Sequence, residues 1–370
     1  MAPDSSTTDH VALEKHNCPA CGARAEWNPG RQALVCPYCG TESPYEIVSE
    51  SGEVREIDLV TALRELPEER RGWEAERRSV RCQTCDAVSV FDPERVGQNC
   101  SFCGSPELVA YDEIKSVIRP LSLLPFQLPE LDAREHLRRW FQTKWLAPGS
   151  FKRAAFFDTI VGVYLPFWTF DAQVSCAWRA DSGTYYYVNE QVRGKDGQTT
   201  TRRVRRTRWS PASGHVDHFF DDEPIPGSQG IDANLLRSIL PFPTTEKLIP
   251  YDTAYLSGFV VEHYRVVLID AARQARDSMN DQLQRLCGRD VPGDTYRNLQ
   301  IDPGYTDETY KHILVPVWLL TYQYRKKSYQ VLINGYTGKV SGRYPKSFWK
   351  VFFLVLLGIA VLATVVYLSR

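Results

Sequence analysis

Two cysteine quartets of one spacing constrain this chain more than anything else in it. Cys18, Cys21, Cys36 and Cys39 form the first; Cys82, Cys85, Cys100 and Cys103 form the second. Each is a C-x2-C pair, fourteen residues, and a second C-x2-C pair, and the copies lie 64 positions apart. A C-x2-C pair lets two thiolates grip one ion through a tight turn, and two such turns face to face complete a tetrahedral sulfur shell. CPACG, CPYCG and CSFCG end in glycine, which accepts the left-handed backbone needed after the second thiolate; CQTCD has Asp86 there, a less comfortable residue. Trp27-Asn28-Pro29 answers Phe91-Asp92-Pro93, so the copies match beyond their cysteines. The expectation is a duplicated zinc ribbon with two Zn2+ per chain. A closed four-thiolate shell leaves no position for substrate or water, so these ions are structural. Disulfides are the competing reading; they suit small secreted chains, and residues 1–15 are polar, without the apolar core of a secretory signal. Cys176 and Cys287 read as apolar fillers.

The other end of the chain carries eighteen consecutive uncharged residues, Val351 to Leu368, extended upstream by Phe348 and Trp349. At about 1.5 Å per residue these eighteen make roughly 27 Å of helix, close to the hydrocarbon thickness of a bilayer. Trp349 and Tyr367 stand where an aromatic belt would place them. Lys339, Arg343, Lys346 and Lys350 precede the span and only Arg370 follows it, which puts the N-terminal side in the cytoplasm. A reducing compartment also keeps thiolates free for metal. The expectation is a tail-anchored, single-pass protein of the plasma membrane.

Between these ends the balance of 44 basic against 45 acidic residues creates no global field that selects a nucleic-acid partner. The divisions expected are a flexible tail at 1–15, zinc ribbon 1 at 16–45, a helical linker at 46–79, zinc ribbon 2 at 80–110, an α+β cytoplasmic domain at 111–345 and a transmembrane helix at 348–368. In the linker, Leu59, Leu63 and Leu66 recur at helical spacing. In the large domain, Ala133, Leu137, Trp140 and Phe141 lie on one face of a helix opened by Pro129 and Asp132 and ended near Pro148-Gly149. A second helix runs from about Ile269 to Cys287 with a seam of Ala272, Ala275, Met279, Leu283 and Leu286, stopping at Gly288. The remainder reads as strands of an antiparallel sheet, with hairpins turning at RGKDGQ and RKKS. LPFW at 165–168 echoes VPVW at 315–318, a weak hint of duplication, and each proline implies an edge or a bulge. The fold class expected is α+β: two N-terminal ribbons, a central antiparallel-sheet domain with two or more helices, and one C-terminal transmembrane helix.

Candidate sites outside the cysteines are few. Arg202, Arg203, Arg205, Arg206 and Arg208, with Trp209 beside them, form the densest charge cluster. On a strand, 202, 206 and 208 share one face and 203 and 205 the other, so no single basic platform results. A solvated hairpin is the plain reading; anionic lipid contact and phosphate-backbone binding are the alternatives. His215, Asp217, His218 and Asp221 suggest a metal site only weakly, because the two histidines of a strand GHVDHFF point to opposite faces. Neither a G-x-S-x-G elbow, an H-E-x-x-H helix nor a Gly-rich dinucleotide loop occurs, and nothing argues for catalysis.

The ordered set of the two quartets, RRWFQTKWLAP, YLPFWTFDA, SGHVDHFFDD, PVWLLTYQY, INGYTGKVSGRYPKS and the terminal span resembles bacterial membrane-anchored proteins with duplicated zinc ribbons, a family without an established activity. Such proteins are sometimes labelled as related to the primosomal helicase through the ribbons alone. That label fails on this chain, which has no G-x-x-x-x-G-K-[ST] loop. The resemblance implies architecture and location and supplies no catalytic residues. The function expected is a membrane-anchored adaptor that binds a protein partner through structural zinc ribbons, with a membrane-tethered nucleic-acid binder as the alternative.

Overall fold

The computed structural model describes residues 17–43, 56–64, 78–85, 87–91, 99–105, 108–110, 120–148, 160–193, 199–324 and 327–368, with the single positions 54 and 118. In chain order the strands are β1 (Glu26–Asn28), β2 (Ala33–Val35), β3 (Ile57–Asp58), β4 (Arg78–Cys82), β5 (Val88–Phe91), β6 (Leu108–Ala110), β7 (Ser122–Leu123), β8 (Val161–Arg193), β9 (Thr199–Pro226), β10 (Ile249–Pro250), β11 (Val260–Glu262), β12 (Thr295–Tyr324), β13 (Lys327–Asn334) and β14 (Val340–Gly342). The helices are α1 (Leu59–Arg64), α2 (Glu130–Gln142), α3 (Ala233–Ile239), α4 (Thr244–Lys247), α5 (Leu268–Asp290) and α6 (Phe348–Leu368). The class is α+β, as expected, and β1 with β2 forms a small separate hairpin.

The large sheet is organised around β8 and β12, which run antiparallel over most of their length. Their central stretches, 162–168 and 313–320, are buried on both faces, which is why they read as continuous apolar runs. On one face Tyr164, Leu314 and Trp318 pack under α2, and Trp168 and Phe170 under α5. On the other, Val163, Leu165, Phe167, Val315 and Val317 pack under α3.

Pro166 does not interrupt β8, and neither it nor Pro316 marks the edge of the sheet. Both lie in central strands at a change of neighbour. β8 pairs with β11 at Val163 and Tyr164 and with β9 from Phe167 onward. β12 pairs with β7 at Ile313 and Leu314 and with β13 from Val317 onward. Each proline falls in the gap between one neighbour and the next, where no ladder donor is needed. Its carbonyl accepts the amide of the glycine that ends the hairpin: Gly227 N to Pro166 O at 2.8 Å, Gly335 N to Pro316 O at 2.9 Å.

This likeness extends through the whole body. β7–α2–β8–β9 and β11–α5–β12–β13 are two copies of one β-α-β-β unit, exchanged so that each short strand runs parallel to the other copy's long strand. The pseudo-twofold passes through the Leu165↔Val315 pair. Eight residues separate the start of the short strand from the start of the helix in both copies. Gly335 O accepts from Gln127 N and Leu128 N, as Gly227 O accepts from Arg265 N and Val266 N. Trp318 Nε1 donates to Leu128 O at 2.9 Å, as Trp168 Nε1 donates to Val266 O at 2.8 Å. Ala133, Leu137 and Phe141 of α2 are buried, as are their counterparts Ala271, Ala275 and Met279 of α5. The echo between LPFW and VPVW is the sequence trace of this duplication.

Three expectations are corrected. The helix opened by Pro129 ends at Gln142, where Thr143 Oγ1 bonds back to Trp140 O. α5 runs past Gly288 to Asp290; Gly288 makes room for Tyr296, whose hydroxyl a Cβ there would meet at 2.3 Å. The strand GHVDHFF is not separate from the hairpin that turns at RGKDGQ: the whole region forms two strands of 33 and 28 residues. Among the described residues β9 pairs only with β8, so Pro211 lies on an open outer edge, where it is tolerated. Of the linker expected at 46–79 the described part holds β3, paired to Thr309 and Tyr310, and α1; Leu66 with most of the linker, Asp86 and both hairpin tips lie outside the described residues.

Candidate metal centres and the anchoring helix

Each quartet is assembled from two knuckles of the same backbone design. The first cysteine of each knuckle donates its amide five residues ahead: Cys18 to Ala23 O, Cys36 to Thr41 O, Cys82 to Ala87 O and Cys100 to Ser105 O, at 2.6–2.9 Å. The same cysteine's carbonyl accepts from the glycine closing the turn at Gly22, Gly40 and Gly104. These glycines have φ of 72°, 73° and 75°, the left-handed conformation their positions required. The knuckles face each other so that Cys18 and Cys39 Sγ are 3.4 Å apart, Cys21 and Cys36 3.6 Å, Cys82 and Cys103 3.5 Å, and Cys85 and Cys100 3.6 Å. All four sulfurs of each quartet lie within 4.8 Å of one another. A tetrahedral ion with bonds of about 2.3 Å to thiolate needs sulfurs roughly 3.8 Å apart, and the quartets fit that demand.

The thiols within each quartet shift in opposite directions, with Cys103 pushed up to about 11 by burial and Cys21 up to about 12 through its contacts with Cys36 and Cys39. The hydrogen bond between Cys85 and Cys100 pulls the Cys100 thiol down to about 5 and pushes Cys85 up. The Thr41 hydroxyl and amide bring Cys39 down to about 6. Crowded sulfurs that share protons in this way release them to a metal. The third grouping of possible ligands, Asp171, Asp221 and Asp222, has a different explanation. A β-bulge sets Asp221 and Asp222 against Asp171, with Asp222 at φ 55°. Lys311 Nζ lies 2.7 Å from Asp222, and this buried ion pair already supplies the positive charge. His215 bonds to Ser175 and Asp217 while His218 packs on Phe220, so the two histidines diverge as expected.

The quartets differ in setting. The first docks on the body from outside: Trp27 packs on Tyr255 at 4.5 Å, Ser257 Oγ donates to Ala25 O, and Gln32 donates to Phe126 O. Its Cys21, Cys39 and Tyr38 stay exposed, Tyr38 at 83%. The second is built into the sheet, because β5 pairs with β11 and Phe102 is fully buried against Leu124, Val163 and Ile239. Phe102 O accepts from both Thr321 Oγ1 and Gln330 Nε2.

Beside it lies Glu262, fully buried. Desolvation pushes its carboxyl up to about 8; the Ser228 hydroxyl and Gly230 amide lower it, but from geometry that leaves both oxygens unsatisfied. An unfolded glutamate titrates near 4.5, so between these values the folded state holds a proton that the unfolded state releases. Stability therefore falls as pH rises through that window. Glu262→Gln should match the wild type near pH 5 and exceed it near pH 8.5, by a few kcal/mol at about 1.4 kcal/mol per pH unit. Denaturant titration of the full chain in detergent at both pH values measures this. A variant that loses ground to the wild type as pH rises contradicts a neutral Glu262.

α6 is long and apolar enough to cross a membrane: 21 residues, about 32 Å. Its side chains from Phe352 to Leu368 are exposed all round, unlike those of a core helix. Its first turn is clamped to the chain that follows α2: Ser347 N donates to Leu146 O, and Lys350 Nζ to Trp145 O and Ala147 O. Trp145 is itself 58% exposed beside the entry to the helix. The arginine cluster sits at the other end of the sheet. β12 ends near α6, and β8 runs the opposite way. Arg205, paired with Tyr187, is thus roughly 85 Å along β8 from Val161 at about 3.3 Å per residue.

An α+β body carrying two four-cysteine clusters near its N-terminus and one apolar helix suited to a single-pass anchor is the class that this geometry defines. The chain is similar to uncharacterized protein YdjG of Bacillus subtilis (strain 168), 25% identical over 241 residues, which covers 65% of this chain and 68% of that protein. No protein-family profile matches the chain, and no solved structure matches it.

Proposed function

We propose that this protein is a membrane-anchored zinc-ribbon adaptor: two structural zinc ions stiffen surfaces on the cytoplasmic side, and one of these surfaces captures a protein partner. Zinc is favoured by the all-thiolate donor sets and the sulfur spacing. Cytoplasmic placement is favoured by Lys339, Arg343, Lys346 and Lys350 ahead of the span. The observation that carries the adaptor reading is Tyr38. A large aromatic side chain on a metal-closed knuckle is held out to solvent on stiff backbone, and rigid exposed aromatics are the side chains that anchor interfaces. A closed shell leaves the ions no catalytic role.

Proximity labelling in cells with the full-length protein tests this. Tyr38→Ala touches no metal ligand; it is expected to keep both zinc ions and its membrane location while losing the labelled partner. An unchanged partner set with Tyr38→Ala refutes the adaptor surface. Reporters fused to each end test the orientation, and an externally accessible N-terminus contradicts it.

A further inference from the structure

The row beside β8 is occupied only in part. β12 pairs with β8 up to the Thr295↔Gly183 pair, while β8 and β9 continue together from Thr184↔Arg208 to Arg193↔Thr199. For these last ten residues, roughly 33 Å, the arm is a two-stranded ribbon with no strand on the β8 side among the described residues. The chain closes off the row at Gly293, which has φ 99° and where a Cβ would fall 2.9 Å from Gly183 O. Asp294 N then donates to Gly183 O, and the Asp294 carboxylate takes the amide of Tyr185 at 2.6 Å. The amide of Gly183's row that first lacks a strand partner is therefore already held by an acid. By the alternation of a strand, the backbone groups of Tyr187, Asn189 and Gln191 face the same open edge.

The side chains around that edge are basic and aromatic. Between 184–191 and 201–209 there are five arginines and a single acid, Glu190, which pairs with Arg206. The guanidinium of Arg203 reaches across from β9 onto the ring of Tyr187 at 4.3 Å, and that of Arg205 onto Tyr185 at 4.2 Å. Arg208 lies over Tyr186 on the opposite face. Positive charge thus flanks the vacant row above and below. A bilayer is planar and would meet one face only. A second copy of the arm would bring like charges together. An extended strand sends alternate side chains to the two faces, and with acidic side chains it would meet arginine on both.

We propose that the β8 edge beyond Gly183 is a docking site for an extended acidic segment of a partner polypeptide, which adds to the sheet as the strand that continues the row of β12. The proposal takes from the adaptor reading only that the partner is a protein. The test uses full-length protein in nanodiscs of zwitterionic lipid at about 150 mM salt, where screening suppresses loose charge contacts. Two labelled peptides of equal charge are compared by anisotropy: alternating Glu-Val, able to form a ladder, and alternating Glu-Pro, lacking the donors. The Glu-Val peptide is expected to bind at least about tenfold more tightly, to slow amide exchange at Tyr187 and Asn189 at least about tenfold, and to weaken about tenfold on Arg203→Ala with Arg205→Ala. Tyr187→Pro, which removes an edge amide and leaves the β8–β9 ladder, should abolish binding. Equal binding of the two peptides, unchanged exchange at Tyr187, or tighter binding of charge-matched duplex DNA overturns the proposal. Those outcomes remove this site and leave Tyr38-dependent capture untouched; loss of that capture leaves the edge test standing.

Discussion

Cys100→Ser is expected to unfold far more of this protein than Cys36→Ser. Each substitution opens one four-sulfur shell, and apparent zinc binding of about 10–16 kcal/mol in such a shell is also folding free energy. The difference lies in what each shell supports. Around the first quartet the dependents are the β1–β2 hairpin with Trp27 and Leu34, docked on the body by Tyr255 and Ser257. Around the second, the dependents are part of the sheet. Without the knuckle Cys100–Cys103, Phe102 leaves the core it shares with Leu165, Leu236 and Ile239, Thr321 and Gln330 lose their shared acceptor, and β11 loses β5 as a neighbour. The second quartet, expected as a ribbon of its own at 80–110, is thus continuous with the large sheet through β5 and β11. Thermal melts of the full chain followed by near-ultraviolet circular dichroism should show a local early transition for Cys36→Ser and a lowered main transition for Cys100→Ser. Two variants that melt alike contradict this.

Trp168→Ala and Trp318→Ala are each expected to cost about 3–5 kcal/mol, the range for emptying a buried aromatic site. Both indoles sit at equivalent places under opposite helices. Trp168 stacks on His312 at 4.6 Å and meets Tyr264 edge-on, while Trp318 packs against Phe126 at 5.0 Å. Each also supplies the hydrogen bond that ties the residue two positions before its covering helix, Val266 or Leu128, across the pseudo-twofold. Substitution by Phe keeps most of the apolar contact and orphans those carbonyls, which is worth about 1–3 kcal/mol. Denaturant unfolding of the four variants should therefore give two matched pairs. A loss below about 1 kcal/mol for either alanine variant, well under the usual range, would show that the copies do not share this joint.

The cysteine quartets are the most legible feature because their geometry is local: two cysteines three positions apart and a left-handed glycine define a knuckle without reference to the rest of the chain. The phases of α2 and α5 are legible for the same reason, from Ala133, Leu137 and Phe141 and from Ala275, Met279 and Leu283. Strand length is not. Pro166, Gly183, Pro211 and Gly214 look like breaks, and whether they break depends on the neighbour. Pro166 sits where neighbours change, and Gly183 and Gly214 lie under the rings of Trp209 and Trp178, which a Cβ would strike at 2.8 and 2.4 Å. The duplication leaves few identical residues because its constraint is on backbone positions, such as Gly227 and Gly335, and on the two tryptophans. Glu262 gives no signal, since an acid in VVEHY looks like any strand residue until its burial is known.

Elemental analysis of the intact, purified protein, prepared reduced and without chelator, tests the central claim most directly. Two zinc ions per chain are expected, with one remaining in Cys36→Ser and one in Cys100→Ser. A metal content near zero in folded wild-type protein, or one unaffected by either substitution, contradicts the account.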